Sequence, residues 1–149
     1  MNAVNELVTM DLEQKKMRYQ NVPDYALPKM NVNTSTANGL TQSIIKWLEL
    51  KGHYCSRIQS QGQYNPTLGR WTKSTTKRGI GDLIAIINGQ TVMIEIKTGS
   101  DRQSQWQKQT QKQVEGSGGV YFIARSFNDF LQWYKSKISK LIKNEPESK

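Results

Sequence analysis

Residues 81–97 read Gly-Asp-Leu-Ile-Ala-Ile-Ile-Asn-Gly-Gln-Thr-Val-Met-Ile-Glu-Ile-Lys, and no other stretch constrains the chain as strongly. Two runs rich in β-branched and aliphatic residues flank Asn88-Gly89, a pair that accepts positive φ and is the strongest short hairpin signal. A two-residue turn sets the register: Ile87 faces Gln90, Ala85 faces Val92, Leu83 faces Ile94 and Asp82 faces Glu95. Counted out from the turn, the last pair is non-hydrogen-bonded, with Cβ atoms at the near end of about 4.5–5.5 Å. Lys97 lies two residues past Glu95 and so points to the same face. Two carboxylates facing each other are destabilising unless a cation sits between them. The end of this ribbon therefore reads as a metal site.

The chain has 149 residues, enough for one domain with a real core plus an appendage. Mean hydropathy is −0.69, and no apolar run approaches the ~20 residues of a membrane span. Lys15, Lys16 and Arg18 follow a weakly apolar start, unlike a secretory signal. A single cysteine, Cys55, leaves no internal disulfide, fits a reducing compartment and reads as a small strand filler. With His53 the only histidine, His-rich zinc sites are excluded and a Ser-His-Asp triad is not expected. The expected setting is the cytoplasm, with no membrane partner.

Net charge is +9, all of it from residues 38–149, because residues 1–37 carry four basic and four acidic side chains. A domain this basic expects a polyanion, most often nucleic acid. Three segments follow: an appendage over 1–37, a domain over 38–143 and a frayed tail over 144–149. Residues 4–20 are expected to form a short helix with Val4, Leu7, Val8, Leu12 and Met17 on one side, and Pro23 and Pro28 then break regular structure. That segment could pack on the domain, bind a partner or stay disordered. Leu40, Ile44, Ile45 and Leu48 predict a helix over 39–51, capped by Asn38 or Thr41 and closed by Lys51-Gly52. A strand over 53–60 carries Arg57. Residues 61–80 form a long polar excursion, with Arg70–Lys73 as a short strand and a basic loop after it. Beyond the hairpin come a Gln-rich helix at about 103–116, a buried-type strand over 120–124, and a last helix. Its stripe is Phe127, Phe130, Leu131, Tyr134, Ile138, Leu141 and Ile142, and Lys135, Lys137, Lys140 and Lys143 form its solvated face. This order predicts an α/β fold, a mixed sheet with helices on its faces and the final strand parallel to its neighbour.

An acid after a glycine-containing turn, then Glu-X-Lys on the next strand, resembles the PD-(D/E)XK nuclease superfamily, and Gly81-Asp82 … Glu95-Ile96-Lys97 carries that pattern. The chain looks closest to the small stand-alone VRR-NUC-type nucleases of phages and prophages. The likeness spans about residues 38–135: a core helix, the Arg57 strand, a polar loop, the two site strands, Gln107 and Gly118-Gly119. It implies a restriction-endonuclease-like α-β-β-β-α-β core and Mg²⁺- or Mn²⁺-dependent hydrolysis of DNA phosphodiesters in a bacterial or phage-infected cell. Asp82, Glu95 and the main-chain carbonyl of Ile96 would hold the metal, and Lys97 would orient the attacking water. Gln107 would join them in the site.

There are two departures. Gly81 stands where many relatives have proline, and no acid lies near the start of the first core helix, which reads Asn38-Gly39-Leu40-Thr41-Gln42. Two protein carboxylates imply one well-held metal. Arg57, Arg70, Lys73, Lys77 and Arg78 are expected DNA contacts, and Trp71 is expected to anchor the core rather than stack on a base. Endonuclease action, with branched DNA as one candidate substrate, would call for a symmetric homodimer. The alternative is a catalytically silent DNA-binding module of the same fold.

Overall fold

The computed structural model describes residues 2–143, without the side chains of 139 and 141–143. Leu141, Ile142 and Lys143 in the last helix and the 144–149 tail therefore lie outside the described side chains or residues.

Eleven elements run in the order α1 (Ala3–Arg18), a 3₁₀ turn (Asp24–Ala26), α2 (Ala37–Leu50), β1 (Tyr54–Arg57), β2 (Gln63–Asn65), β3 (Arg70–Thr72), β4 (Leu83–Ile87), β5 (Gln90–Ile96), α3 (Gln105–Gly116), β6 (Val120–Ala124) and α4 (Phe127–Lys143). The architecture is α/β: a mixed four-stranded sheet, ordered β1-β4-β5-β6, with helices packed on it. β1, β4 and β5 form an antiparallel meander, and β6 joins β5 in parallel.

The hairpin register is the one its turn demands, with Leu83, Ala85 and Ile87 opposite Ile94, Val92 and Gln90. Asn88 at φ +49° and Gly89 at φ +78° supply the two left-handed positions of the turn. Period-2 alternation then sorts the side chains. Leu83, Ala85, Ile87, Val92, Ile94 and Ile96 are buried in one core with Leu40, Ile44, Trp47 and Leu48 of α2 and Phe127, Phe130, Leu131 and Tyr134 of α4. Tyr54, Ile84, Ile86 and Met93 fall on the opposite face, where Tyr54 and Ile86 are exposed.

Several expectations shift. The cap of α2 is Thr36, whose Oγ1 accepts from Gly39 N at 3.1 Å, while Thr41 sits one turn inside with its hydroxyl donating to Ala37 O. The polar excursion holds a second small antiparallel sheet, because Gln63–Asn65 pairs with Arg70–Thr72. Trp71 does not anchor the core. It is 72% exposed, since a two-stranded ribbon outside the main sheet has no layer behind it.

The 1–37 segment takes the first of its three alternatives. Helix α1 packs on α2 and α4 and puts Ala3 and Leu7 into the common core. Its buried line is Ala3, Leu7 and Asp11, rather than one running out to the exposed Met17. Asp11 tolerates burial because Lys15 and Lys46 reach its two oxygens at 2.6 and 3.1 Å. Burial raises its carboxyl pKa, and the two ammonium groups outweigh burial to leave it below its ordinary value. Lys135 of α4 is likewise not simply solvated, since it bonds Glu6 of α1 at 2.8 Å. Cys55 is half-buried, and burial first, then Glu49, pushes its thiol up to about 11, which suits a filler and not a nucleophile.

Candidate active site

The site forms where β4 begins and β5 ends. The sheet ladder between them stops at Leu83–Ile94, one pair short of the expected Asp82–Glu95 pairing. Asp82 instead turns its carboxylate inward, where Oδ2 accepts the Ile96 N–H at 2.7 Å. Its own carbonyl accepts from Ile58 N just past β1, so the residue is held on both sides. Oδ1 takes no hydrogen bond among the described residues. The N–H and C=O of a strand residue point to the same side. The Ile96 carbonyl therefore faces the Asp82 side of β5 rather than β6.

Glu95 is 3% exposed on the face shared with Asp82 and Lys97. Its Oε1 accepts from Gln107 Nε2 and lies 3.3 Å from Lys97 Nζ, and its Oε2 accepts from the Tyr121 hydroxyl at 3.4 Å. Burial first, then the charge of Asp82, pushes its carboxyl from 4.5 up to about 7, against the opposing pull of Lys97 and the Tyr121 hydroxyl. The like-charge tension read from the hairpin is thus present without a directly opposed pair.

Lys97, also buried, divides its ammonium between Glu95 Oε1 and Asp101 Oδ2, each at 3.3 Å. The carbonyl of Asp101 in turn accepts from Arg125 Nη1 at 3.3 Å, which ties the loop after β5 to the loop after β6.

Helix α3 delivers Gln107 through its own start. Ser104 is the N-cap and Gln107 the third helical residue of a capping box. Ser104 Oγ accepts Gln107 N at 3.2 Å, and Gln107 Oε1 accepts Ser104 N at 2.9 Å. The amide carbonyl is used up by the cap, which leaves the NH₂ end to face Glu95. The loop before β4 closes on this helix. Lys77 Nζ bonds Gln113, Arg78 O accepts from Thr110 Oγ1, and the Arg78 guanidinium lies 5.2 Å from the Trp106 ring centroid. Gly79 sits at φ +74° with its Cα against the Trp106 carbonyl, where a Cβ would collide.

Asp82, Glu95, Lys97 and Gln107 thus converge on one end of the sheet. Arg57 approaches from the α2 side, with Nη1 donating to Asn38 Oδ1 at 3.0 Å, and it lines with Asp82 a cleft of about 410 Å³. Lys73, Lys77 and Arg78 line a second groove of about 900 Å³ that reaches Gln107, and Arg70 stands outside on β3. Sequence reasoning missed Asp101 and Tyr121. An i,i+4 spacing from Lys97 would have flagged Asp101, whereas Tyr121 reaches Glu95 only through the β5–β6 register.

Among the described residues no three of His, Cys, Asp and Glu gather into a group that could hold a metal ion. The two carboxylates of Asp82 and Glu95 suit a hard cation that keeps several of its waters. They offer oxygen donors only, one carboxylate oxygen takes no hydrogen bond among the described residues, and the other acid sits in a pocket where a cation would relieve its burial. No helix among the described residues is long and apolar enough to cross a membrane. No family model, curated protein or solved structure matches this chain.

Proposed function

We propose that this chain is a divalent-metal-dependent DNA endonuclease of the PD-(D/E)XK type. The observation that carries the reading is the convergence of Asp82, a charge-strained Glu95, the buried Lys97 and Gln107 at one end of the sheet. The chain order α2-β1-β4-β5-α3-β6 and the surplus of basic residues support it further.

Asp82, Glu95 and the Ile96 carbonyl would hold Mg²⁺ or Mn²⁺. When bound, the ion supplies an acidified water and neutralises charge on the scissile phosphate. Lys97 would orient the attacking water and offset the negative charge that builds on the phosphate in the transition state. Gln107 keeps the Glu95 carboxylate turned into the site. Arg57, with Asn38 bracing it, offers a guanidinium to a phosphate at the cleft rim. Cutting both strands of a duplex or a branched substrate would take a symmetric pair of chains.

The two-carboxylate set favours one rival, a DNA-binding module of the same fold that does not cut. A cleavage panel over linear, flapped and four-way DNA with Mg²⁺ separates them. The expected result is Mg²⁺-dependent cutting that Asp82→Ala lowers by about 10³-fold or more with an unchanged circular dichroism spectrum. Salt-sensitive DNA binding with no cutting of any substrate would sink the nuclease reading and support the rival.

A further inference from the structure

The β2–β3 ribbon carries features that its fold does not use. Tyr64 and Trp71 are register partners on one face of it, with ring centroids 6.0 Å apart at 67°. They are 53% and 72% exposed, and neither belongs to the hydrophobic core. An edge-on aromatic pair contributes about 0.5–1.5 kcal/mol. That is enough to fix two ring orientations and far too little to justify leaving a tryptophan in water.

The ribbon is held in shape from within. Asn65 Oδ1 accepts from the backbone of Thr67 and Leu68, Gly69 takes φ +61°, and Thr72 Oγ1 bonds Gln63 O at 2.8 Å. Its surroundings have one sign of charge. Residues 58–81 contain no carboxylate and four basic side chains, Arg70, Lys73, Lys77 and Arg78.

Trp71 also lines the groove of about 900 Å³ that runs between the ribbon and the start of α3 to Gln107, the residue bonded to Glu95. Trp106 lines the same groove but has the Arg78 guanidinium near its ring, so Trp71 is the more open aromatic surface there.

We propose that the Tyr64–Trp71 ribbon is a base-stacking platform that binds unpaired nucleotides of DNA and leads them along the groove toward the Asp82–Glu95 end of the sheet. A preset aromatic face amid cations matches single-stranded nucleic acid, whose bases expose their π faces, whereas a blunt duplex hides them. The proposal rests on the DNA-binding half of the reading above and names its substrate class: DNA with a single-stranded element, such as a flap, a gap or the opened arms of a branch.

The test is equilibrium binding of the full chain, in EDTA so that nothing is cut, to labelled oligo-dT and to a blunt duplex of equal length. Trp71→Ala should weaken oligo-dT binding by about tenfold or more and leave duplex binding within about twofold, and Trp71→Phe should recover most of the loss. Tyr64→Ala should act in the same direction with a smaller effect, since it removes the brace of the ring. Equal losses on both DNAs, or none on either, would overturn the platform. So would a change of mass by light scattering in Trp71→Ala without a change in affinity, which would make the ribbon a protein contact. A Trp71-dependent preference for single strands in a protein that never cuts DNA would retire the nuclease reading and leave the platform standing.

Discussion

Two hairpins in this chain obey the same backbone rules and end in opposite circumstances. β4–β5 turns through Asn88-Gly89, buries one face completely and carries the charged residues at its open end. β2–β3 turns through Pro66-Thr67-Leu68-Gly69, hides almost nothing and displays its rings to solvent. Hydrogen bonding does not separate them, since both have paired strands and well-made turns. What separates them is a layer behind the strands. Apolar alternation gives β4–β5 a side for α2 and α4 to cover, and that support lets buried charges such as Glu95 and Lys97 be held in place. Polar residues on the back of β2–β3 leave it as a ribbon held by local bonds, suited to contact rather than to support.

The sharpest way to break this contrast is to remove one apolar side chain from each hairpin. Ile94→Ala, at a fully buried position, should cost about 2–5 kcal/mol, whereas Leu68→Ala at the exposed turn should stay within about 0.5 kcal/mol. Urea unfolding followed by circular dichroism reads both, and similar losses would mean that β2–β3 is covered by something after all.

Next in size is the pH dependence that β4–β5 imposes through Glu95. In the folded, metal-free chain its carboxyl keeps a proton up to about 7, whereas the unfolded chain releases it near 4.5. Between those values the folded state binds more protons, so stability falls as pH rises through the window, by an amount on the order of 3 kcal/mol. Asp11 acts in the opposite sense and at lower pH, because its pKa is depressed on folding. Urea titrations in EDTA from mildly acidic to mildly alkaline pH should show the decline in the natural chain and a flatter profile in Glu95→Gln. Parallel profiles would mean that Glu95 is not proton-linked to folding.

The smallest effect concerns the joint between the site and α3. Gln107→Ala removes half of the capping box and one Glu95 bond, and should lower stability by about 1 kcal/mol while reducing cleavage. Gln107→Glu keeps an acceptor for Ser104 N but puts a like charge beside Glu95. It should restore most of the thermal stability without restoring activity. If Gln107→Glu cleaves normally, the amide has no part in the site.

The legibility of the molecule varied with how local the cause was. The hairpin register from Ile87–Gln90 to Leu83–Ile94, the presence of α2 and the β6 strand could be read directly, because turn chemistry and apolar spacing act over a few residues. The Ser104–Gln107 capping box was equally local and was overlooked, although Ser-Gln-Trp-Gln is the S-x-x-Q signature. The pairing of Gln63–Asn65 with Arg70–Thr72 was hidden by a polar composition with no alternation to betray a strand. The packing of α1 depended on Leu7 meeting a core assembled from residues at least thirty positions away, and on Lys46 being there to satisfy Asp11.

By itself the sequence determined that a tight ribbon would bring Asp82, Glu95 and Lys97 to one end of a strand pair, within a basic domain. It did so because a two-residue turn admits a single register and strand side chains alternate. Only the tertiary structure decided that the two acids would not face each other across the ladder, with Asp82 taking the Ile96 N–H and Glu95 sinking beneath Gln107 and Tyr121. It likewise decided that Trp71 would stand in solvent beside the groove. Burial and its electrostatic consequences depend on which elements close over a residue, and strand spacing carries no information about that.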